Sequence, residues 1–442
     1  MVKPALFQST FAWLVSVVLL VPLGTACSAS SGSDVFDRHQ VADSSDGDGP
    51  TVIPGDGSGG GGSGTTEPLP SGSVTLSGRV MAPSGAFPVS GALVYLTKDT
   101  PEAIPKGVYH YECDEMEGTA YALSSADGTW TIKNVQVGNW NLVTRKGNFR
   151  RVRPIEVKQD MDPNVHPELT MLPRKRSNDG LDVIPSFAVV KTNPDLAYNL
   201  LAKFGLGDVN GAGNLVQGTE SFDIYDEAPI SSYPHTKVLF DSNNLHNYHM
   251  VFLPCSATSV GVPFVNNNVQ KLRDYVSVGG RIYNSCTVSL WTKAPFPPYI
   301  DYYGNNTPNR FDIGRSSNTA YSTTGAALDP GLAAWLPIVA GVGPNAVPFH
   351  NGYVTINGTV DVSDGHGLNK DDGVVKPYTW VRDLQAHPDK PLMVTYNYDF
   401  GKVFYSVYET STNTAVMTPQ EYVLLYVILE VGVCENLPPG LW

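Results

Sequence analysis

Charge is what this 442-residue sequence has least of, with Asp, Glu, Lys and Arg making up 16% of it against about 25% in an ordinary soluble protein. The charge present leans acidic, with 42 carboxylates, 29 basic residues and a net charge of -13. That balance argues against a nucleic-acid phosphate backbone as partner. Beyond one N-terminal stretch no apolar run reaches the roughly 18 residues of a membrane-crossing helix, which excludes a polytopic membrane protein. Neither a collagen-like nor a coiled-coil composition is present. Cysteine is scarce, at five residues. What is plentiful is turn-forming residue, 43 Gly and 34 Pro, alongside 42% hydrophobic and 10% aromatic content. That apolar fraction suffices for a sizeable core.

The first 26 residues carry the pattern of a secretory signal peptide: Lys3, an apolar stretch over residues 11–23, then the small residues Gly24, Thr25 and Ala26. Cys27 follows directly, and the arrangement resembles a bacterial lipoprotein cleavage site, although Leu23 stands one place further back than that pattern has it. The resemblance implies lipidation of Cys27 and anchoring in the bacterial envelope, at the outer membrane. Residues 27–72 hold few large apolar side chains and include a run of Gly, Ser and Asp over 55–64. Such a segment cannot bury enough surface to offset its ordering entropy. It reads as a stalk with a root-mean-square span of about 35–40 Å.

From residue 73 the chain breaks into short alternating runs, residues 74–80, 92–96, 130–132, 140–143 and 152–157, with turn residues between them. This spacing is that of a small all-β sandwich, and Asp127-Gly128 reads as a hairpin turn. The set Ser77-Gly78-Arg79-Val80, Val89-Ser90-Gly91-Ala92 and Ala126-Asp127-Gly128-Thr129-Trp130 resembles the carboxypeptidase regulatory-like (transthyretin-like) family over residues 73–172. The resemblance implies a stability or binding module without catalysis of its own.

Residues 186–435 alternate strand-like and helix-like segments, interrupted by a Gly/Asn/Pro-rich insertion at about 295–375. Strands are expected at 187–190, 237–240, 250–254 and 281–284, and helices at 195–204 and 268–278. A β-α-β rhythm of this kind gives a mostly parallel, flavodoxin-like α/β sheet whose ligands bind beyond the carboxyl ends of the strands. The segments Asn247-Tyr248-His249-Met250-Val251-Phe252-Leu253-Pro254-Cys255 and Leu272-Arg273-Asp274-Tyr275-Val276-Ser277-Val278-Gly279-Gly280-Arg281-Ile282-Tyr283 resemble the class I glutamine-amidotransferase-like superfold, in its ThuA-like branch. Residues 401–406 and 420–428 are similar to the closing strand and helix of that branch.

The resemblance places a cysteine nucleophile at Cys286, on the turn after the fourth strand. It also marks three departures. No glycine flanks Cys286, Tyr408 stands where the histidine base would be, and Cys255-Ser256-Ala257 replaces a glycine pair. A phenol with a pKa near 10 is a poor general base at neutral pH. If the site were active, Glu409 or His249 would have to serve. The cysteines also admit a bland reading. In an exported protein they pair, and Cys255 and Cys286 end strands that should be neighbours, with Cys434 as rival partner for either.

Weaker candidates complete the sequence reading. The insert at 97–122 holds Tyr109, His110 and Cys113, and His235, Asp241, His246 and His249 cluster around the second and third strands. Asp361, Asp364, Asp371 and Asp372 lack the terminal glutamate of an EF-hand loop. No metal or other cofactor is expected. Trp291, Phe296, Tyr299, Tyr302 and Tyr303 follow Cys286 at the ligand edge, where exposed rings could stack on sugars. The expectation is therefore a multidomain surface lipoprotein whose degenerate amidotransferase-like domain serves as a binding or structural module without catalysis, with a surface glycan or another envelope protein as candidate partner. Two alternatives stand beside it: a thiol hydrolase or amidotransferase using Cys286, and a glycan-binding protein using the aromatic group.

Overall fold

The computed structural model describes residues 72–110, 120–228, 231–255, 261–304, 310–367, 373–410 and 414–430. The expectations for the signal peptide, Cys27, the stalk, Cys113 and Cys434 lie outside them. The described chain is mostly β, arranged in several sheets with few helices.

Seven strands open it: β1 (Ser73–Arg79), β2 (Leu93–Thr97), β3 (Tyr121–Leu123), β4 (Thr129–Gln136), β5 (Gly138–Lys146), β6 (Phe149–Val157) and β7 (Asp182–Val183). They form a two-stranded sheet, β1-β4, and a five-stranded antiparallel sheet in the order β3-β2-β5-β6-β7. Alternation along β4 sends Trp130 and Ile132 inward, where they join Leu76, Val94 and Leu142 in the core. Asp127-Gly128 does make the expected turn, with Gly128 at φ +82° and the Asp127 carboxylate accepting the Thr129 N–H at 2.9 Å. The strands it joins pair with different partners, however, so it crosses between sheets and is not a hairpin. Gly78 lies flat under the indole, and a Cβ there would meet Trp130 Cζ2 at 2.7 Å. Gly78→Ala is expected to cost about 1–3 kcal/mol by overpacking, read from the urea midpoint.

The chain then runs through β8 (Phe187–Lys191), α1 (Ala197–Leu201), β9 (Asp223–Asp226), α2 (Thr236–Leu239), β10 (Met250–Leu253), α3 (Val262–Ser277), β11 (Arg281–Ser285) and α4 (Leu290–Lys293). It continues through β12 (Ile300–Tyr302), β13 (Tyr321–Ala327), α5 (Pro330–Val339), β14 (Val347–Gly352), β15 (Ile356–Thr359), β16 (Val362–Ser363), β17 (Val374–Val375), β18 (Tyr378–Asp383), β19 (Pro391–Tyr398), β20 (Gly401–Ser406) and α6 (Pro419–Glu430). Nine of these strands build one sheet, in the order β14-β13-β18-β19-β20-β11-β10-β8-β9. From β20 to β9 the neighbours are parallel, and from β14 to β20 they are antiparallel. The mostly parallel sheet expected from the sequence is thus a mixed one. Strands β8, β10, β11 and β20 are buried almost end to end, as strands covered on both faces are, and in β8 and β10 this burial shows in the sequence as an apolar run. The expected helices at 195–204 and 268–278 are present as α1 with its continuation over Ala202–Leu206 and as α3.

Residues 237–240 are a correction. They form α2 rather than a strand, and the sheet position falls to β9. His235 starts the helix by accepting the Lys237 N–H on Nδ1 at 3.0 Å, and Val238 points to solvent. A four-residue apolar run does not by itself distinguish strand from helix.

The sandwich and the large sheet share one hydrophobic core. Phe87 of the sandwich packs on Phe204, Trp335 and Tyr422, and the Trp335 indole donates to Pro88 O at 3.0 Å. Among the described residues no helix is long and apolar enough to cross a membrane.

Candidate functional site

The parallel strands bring their carboxyl ends together, and the residues just beyond them form one buried cluster. Asp195 follows β8, Cys255 follows β10, Cys286 follows β11, and Glu409 and Thr410 follow β20. Because Leu253 pairs with Asn284, Cys255 and Cys286 sit two residues on from paired positions at adjacent strand ends. A sulfur from each and a carboxylate oxygen of Glu409 all lie within 4.8 Å of one another. Cys286 has no exposed surface, and Cys255 and Glu409 are 3% exposed each.

The backbone at Cys286 is strained. Its φ is +50°, a left-handed conformation that non-glycine residues rarely adopt. Ser285 before it is extended, and a short 3-10 turn, residues 286–288, follows. The Tyr405 hydroxyl pins the turn by donating to Cys286 O at 2.6 Å. Beneath lies a polar brace centred on Asp195, itself fully buried. Its carboxylate accepts Ser285 Oγ at 2.5 Å, the Thr410 N–H at 3.1 Å and the Thr410 hydroxyl. Ser285 Oγ in turn accepts the Cys255 N–H at 2.8 Å. One carboxyl therefore ties three strand ends to a fourth. Burial pushes the Asp195 carboxyl up from its ordinary value, against the pull of these donors.

The thiols are free, not bridged. The disulfide between Cys255 and Cys286 is a correction: the two residues are neighbours as expected, but Cys255 Sγ sits 3.1 Å from Thr287 Oγ1, and Cys286 has Cys255 and Glu409 as hydrogen-bond neighbours. Burial pushes the Cys286 thiol well above its usual value, and Cys255 and Glu409 push the same way. The Cys286 thiol is therefore neutral at pH 7.

Of the two bases considered from sequence, only Glu409 reaches the cluster. His249 stands before β10, at the opposite end of the strands, about 20 Å from Cys255 at about 3.3 Å per residue. Its Nδ1 accepts the Ser186 N–H at 2.8 Å. Tyr408 is buried in the core with its ring against Phe349. His235, His246 and His249 do not converge. Among the described residues Cys255, Cys286 and Glu409 form the one group of three or more His, Cys, Asp or Glu side chains close enough to share a ligand.

The aromatic group is a further correction. Trp291, Phe296, Tyr299 and Tyr302 are 4%, 3%, 0% and 1% exposed, so they are core and offer no sugar-stacking face. Trp291 stacks on Phe240, and Tyr302 packs edge-on to Tyr405. Tyr303 alone of the set is exposed. It borders a polar cleft of about 450 Å³ with Arg310, Asp312, Arg315 and Asn318, in which Arg310 is already held by Asp312 at 2.7 Å. The insertion packs onto the segment that follows the Cys286 turn: Ser289 Oγ donates to Ile313 O at 2.5 Å.

Asp195 had no place in the sequence reading beyond helix formation. A buried aspartate at the carboxyl end of the first parallel strand is a signal that strand assignment alone could have raised.

No protein-family model matches the chain, and no curated protein matches it. Among solved structures, a cytoplasmic protein of Salmonella typhimurium is similar over 56% of this chain and 99% of its own, at 10% identity and a TM-score of 0.31. A β-galactosidase of Rahnella sp. R3 is similar over 59% of this chain and 33% of its own, at 11% identity and a TM-score of 0.28. A second Salmonella typhimurium cytoplasmic protein matches at 12% identity and a TM-score of 0.30, over 55% of this chain and 98% of its own. Likeness at this level fixes neither fold nor function.

Proposed function

We propose that the chain is an exported, lipid-anchored protein of a bacterial envelope, probing or holding its surroundings through an amidotransferase-like α/β domain that is a binding or structural module and not an enzyme. The single observation that carries this reading is the setting of Cys286. The residue occupies the elbow where a nucleophile would stand, but it is enclosed by protein and neighboured by a thiol and a carboxyl. A nucleophilic cysteine needs an exposed thiol and a nearby group that favours the thiolate. Here burial, the Cys255 thiol and the Glu409 carboxyl all favour the neutral form. The surface location and the family assignment rest on the N-terminal pattern and the motif resemblance.

A second reading, a thiol hydrolase with Cys286 as nucleophile and Glu409 as base, has one observation in its favour: the φ of +50° at Cys286 resembles strain stored at a functional turn. Alkylation separates the two. Native protein treated with iodoacetamide at pH 7.5 is expected to leave Cys286 unlabelled, while denatured protein labels fully, both read by peptide mass spectrometry. Native labelling of Cys286 faster than Cys113 would move the hydrolase to first place.

A further inference from the structure

The same cluster allows a step beyond a generic binding module. We infer that Cys255, Cys286 and Glu409 form a binding site for a thiophilic divalent cation of the zinc class. This deepens the reading above, on which it rests, by naming what the closed site holds.

Three features support it. The donor set is two sulfurs and one carboxylate oxygen, the combination that suits Zn²⁺ and disfavours hard, all-oxygen cations such as Mg²⁺ and Ca²⁺. The spacing is close to what a tetrahedral ion imposes. Zn–S near 2.3 Å and Zn–O near 2.0–2.2 Å put ligand atoms about 3.5–3.8 Å apart, and the three atoms here lie within 4.8 Å of one another before any ion draws them in. The third feature is positioning. The two cysteines follow paired positions on adjacent parallel strands, Glu409 follows the next strand along, and Cys286 is held at a φ of +50° in a strained turn. An unusual backbone held by a surrounding brace points to a role for the side chain it carries. That brace, Asp195 with Ser285 and Thr410, fixes the backbone of all three ligand-bearing segments. Thr287 Oγ1, 3.1 Å from Cys255 Sγ, is placed to hydrogen-bond a bound sulfur from outside the coordination shell, as outer partners do in metal sites.

The charge balance is simple. Binding replaces two thiol protons, which leave to solvent, with two metal–sulfur bonds, and the Glu409 carboxylate supplies a third bond. Two thiolates, one carboxylate and a divalent ion sum to a single negative charge, against three for the ionised ligands alone. The fourth position falls to water. With the cluster enclosed, the ion would be taken up as the chain folds.

The test uses the full chain without an affinity histidine tag, produced in zinc-supplemented medium and purified under reducing, anaerobic conditions. Metal analysis is expected to find about one zinc per chain, falling at least tenfold in Cys286→Ser and in Cys255→Ser and unchanged in Cys434→Ser. Glu409→Gln, the milder change, is expected to keep the fold and weaken zinc retention during dialysis against a chelator. Replacing zinc by Co²⁺ is expected to give a thiolate-to-cobalt charge-transfer band in the near ultraviolet, absent in Cys286→Ser. Far-ultraviolet circular dichroism of each variant confirms folding. A folded, reduced wild-type chain that holds neither zinc nor cobalt overturns the inference, as does a native chain with Cys255 and Cys286 bridged. Metal content decides this inference alone. Rapid alkylation of Cys286 in the metal-free chain would instead overturn the binding-module reading.

Discussion

Lys203→Met in the full chain is expected to lower unfolding free energy by about 3–5 kcal/mol, the range for removing one partner of a buried ion pair. Lys203, in the turn continuing α1, places Nζ 2.8 Å from Glu421 Oε1, and both side chains are 1% exposed. The other Glu421 oxygen is also engaged. It accepts the Thr418 N–H at 2.7 Å and the Thr418 hydroxyl at 3.2 Å, the reciprocal half of a capping box at the start of α6. Removing the lysine charge leaves a carboxylate out of water with only the helix terminus to stabilise it. Glu421→Gln is expected to cost a comparable amount, because an amide has one acceptor oxygen where the carboxylate uses two, so either Lys203 or Thr418 is left facing a donor. The double variant should recover part of the loss, so a urea-based double-mutant cycle is the measurement. A coupling below about 0.5 kcal/mol, the level of a surface pair, would refute the account. The consequence reaches the candidate site. Gln420, beside Glu421, donates Nε2 to Glu409 O at 2.6 Å, so loosening this end of α6 should also raise the alkylation rate of Cys286.

Nothing about Lys203 and Glu421 as sequence positions announces this pair, which spans 218 residues. The contrast with the parallel strands is instructive. Phe187–Lys191 and Met250–Leu253 are buried on both faces, so each appears as a short apolar run in the sequence. Arg281–Ser285 and Gly401–Ser406 are as buried but carry Arg281, Asn284, Gly401 and Lys402 and are not marked by an apolar run. The outer antiparallel strands are no more legible. β13 reads Tyr-Ser-Thr-Thr-Gly-Ala-Ala and β14 includes Pro348 and Asn351, without a hydrophobic alternation to mark them as strands. Both strands fall within what the sequence presented as an insertion. Their sheet position depends on contacts with strands further along the chain.

The candidate site divides in the same way. The juxtaposition of Cys255 and Cys286 followed from strand order, and Glu409 from its place after the closing strand. Whether the thiols would bond, and whether the aromatics of residues 291–303 would face solvent, depended on how the covering segment lies. Tyr302 against Tyr405 and Ser289 against Ile313 are long-range packing outcomes that composition leaves open. His249 failed as a base for a simpler reason. Its number places it before its strand, whereas ligand ends of parallel strands lie after them.

That same position makes His249 a source of acid sensitivity, the second large effect expected. The ring is 2% exposed, edge-on to Tyr109, and its Nδ1 already accepts the Ser186 N–H. Burial, with the positive charges of Arg281 and Arg176, pulls its pKa down to about 3 from the ordinary 6.5. Between those values the unfolded chain binds a proton that the folded chain refuses. Stability contributed by keeping the imidazole neutral is therefore complete above about pH 6.5 and is lost as pH falls toward 3. At about 1.4 kcal/mol per pH unit, the loss is roughly 2 kcal/mol at pH 5 and approaches 5 kcal/mol near pH 3. The depressed carboxylates Asp182 and Asp226 give slopes of the same sign but act below their ordinary value of 3.8, whereas Asp195, pushed up by burial, gives a slope of the opposite sign above it. The histidine is therefore isolated by comparing the pH 7 to pH 5 change in wild type with that in a variant lacking it. His249→Gln keeps an acceptor for Ser186 and removes the titrating group, and its urea midpoint should move far less than the wild-type midpoint over that interval. Equal shifts in the two proteins would mean that His249 protonates in place, and that the cleft it shares with Lys146, Phe149 and Arg281 tolerates a further positive charge.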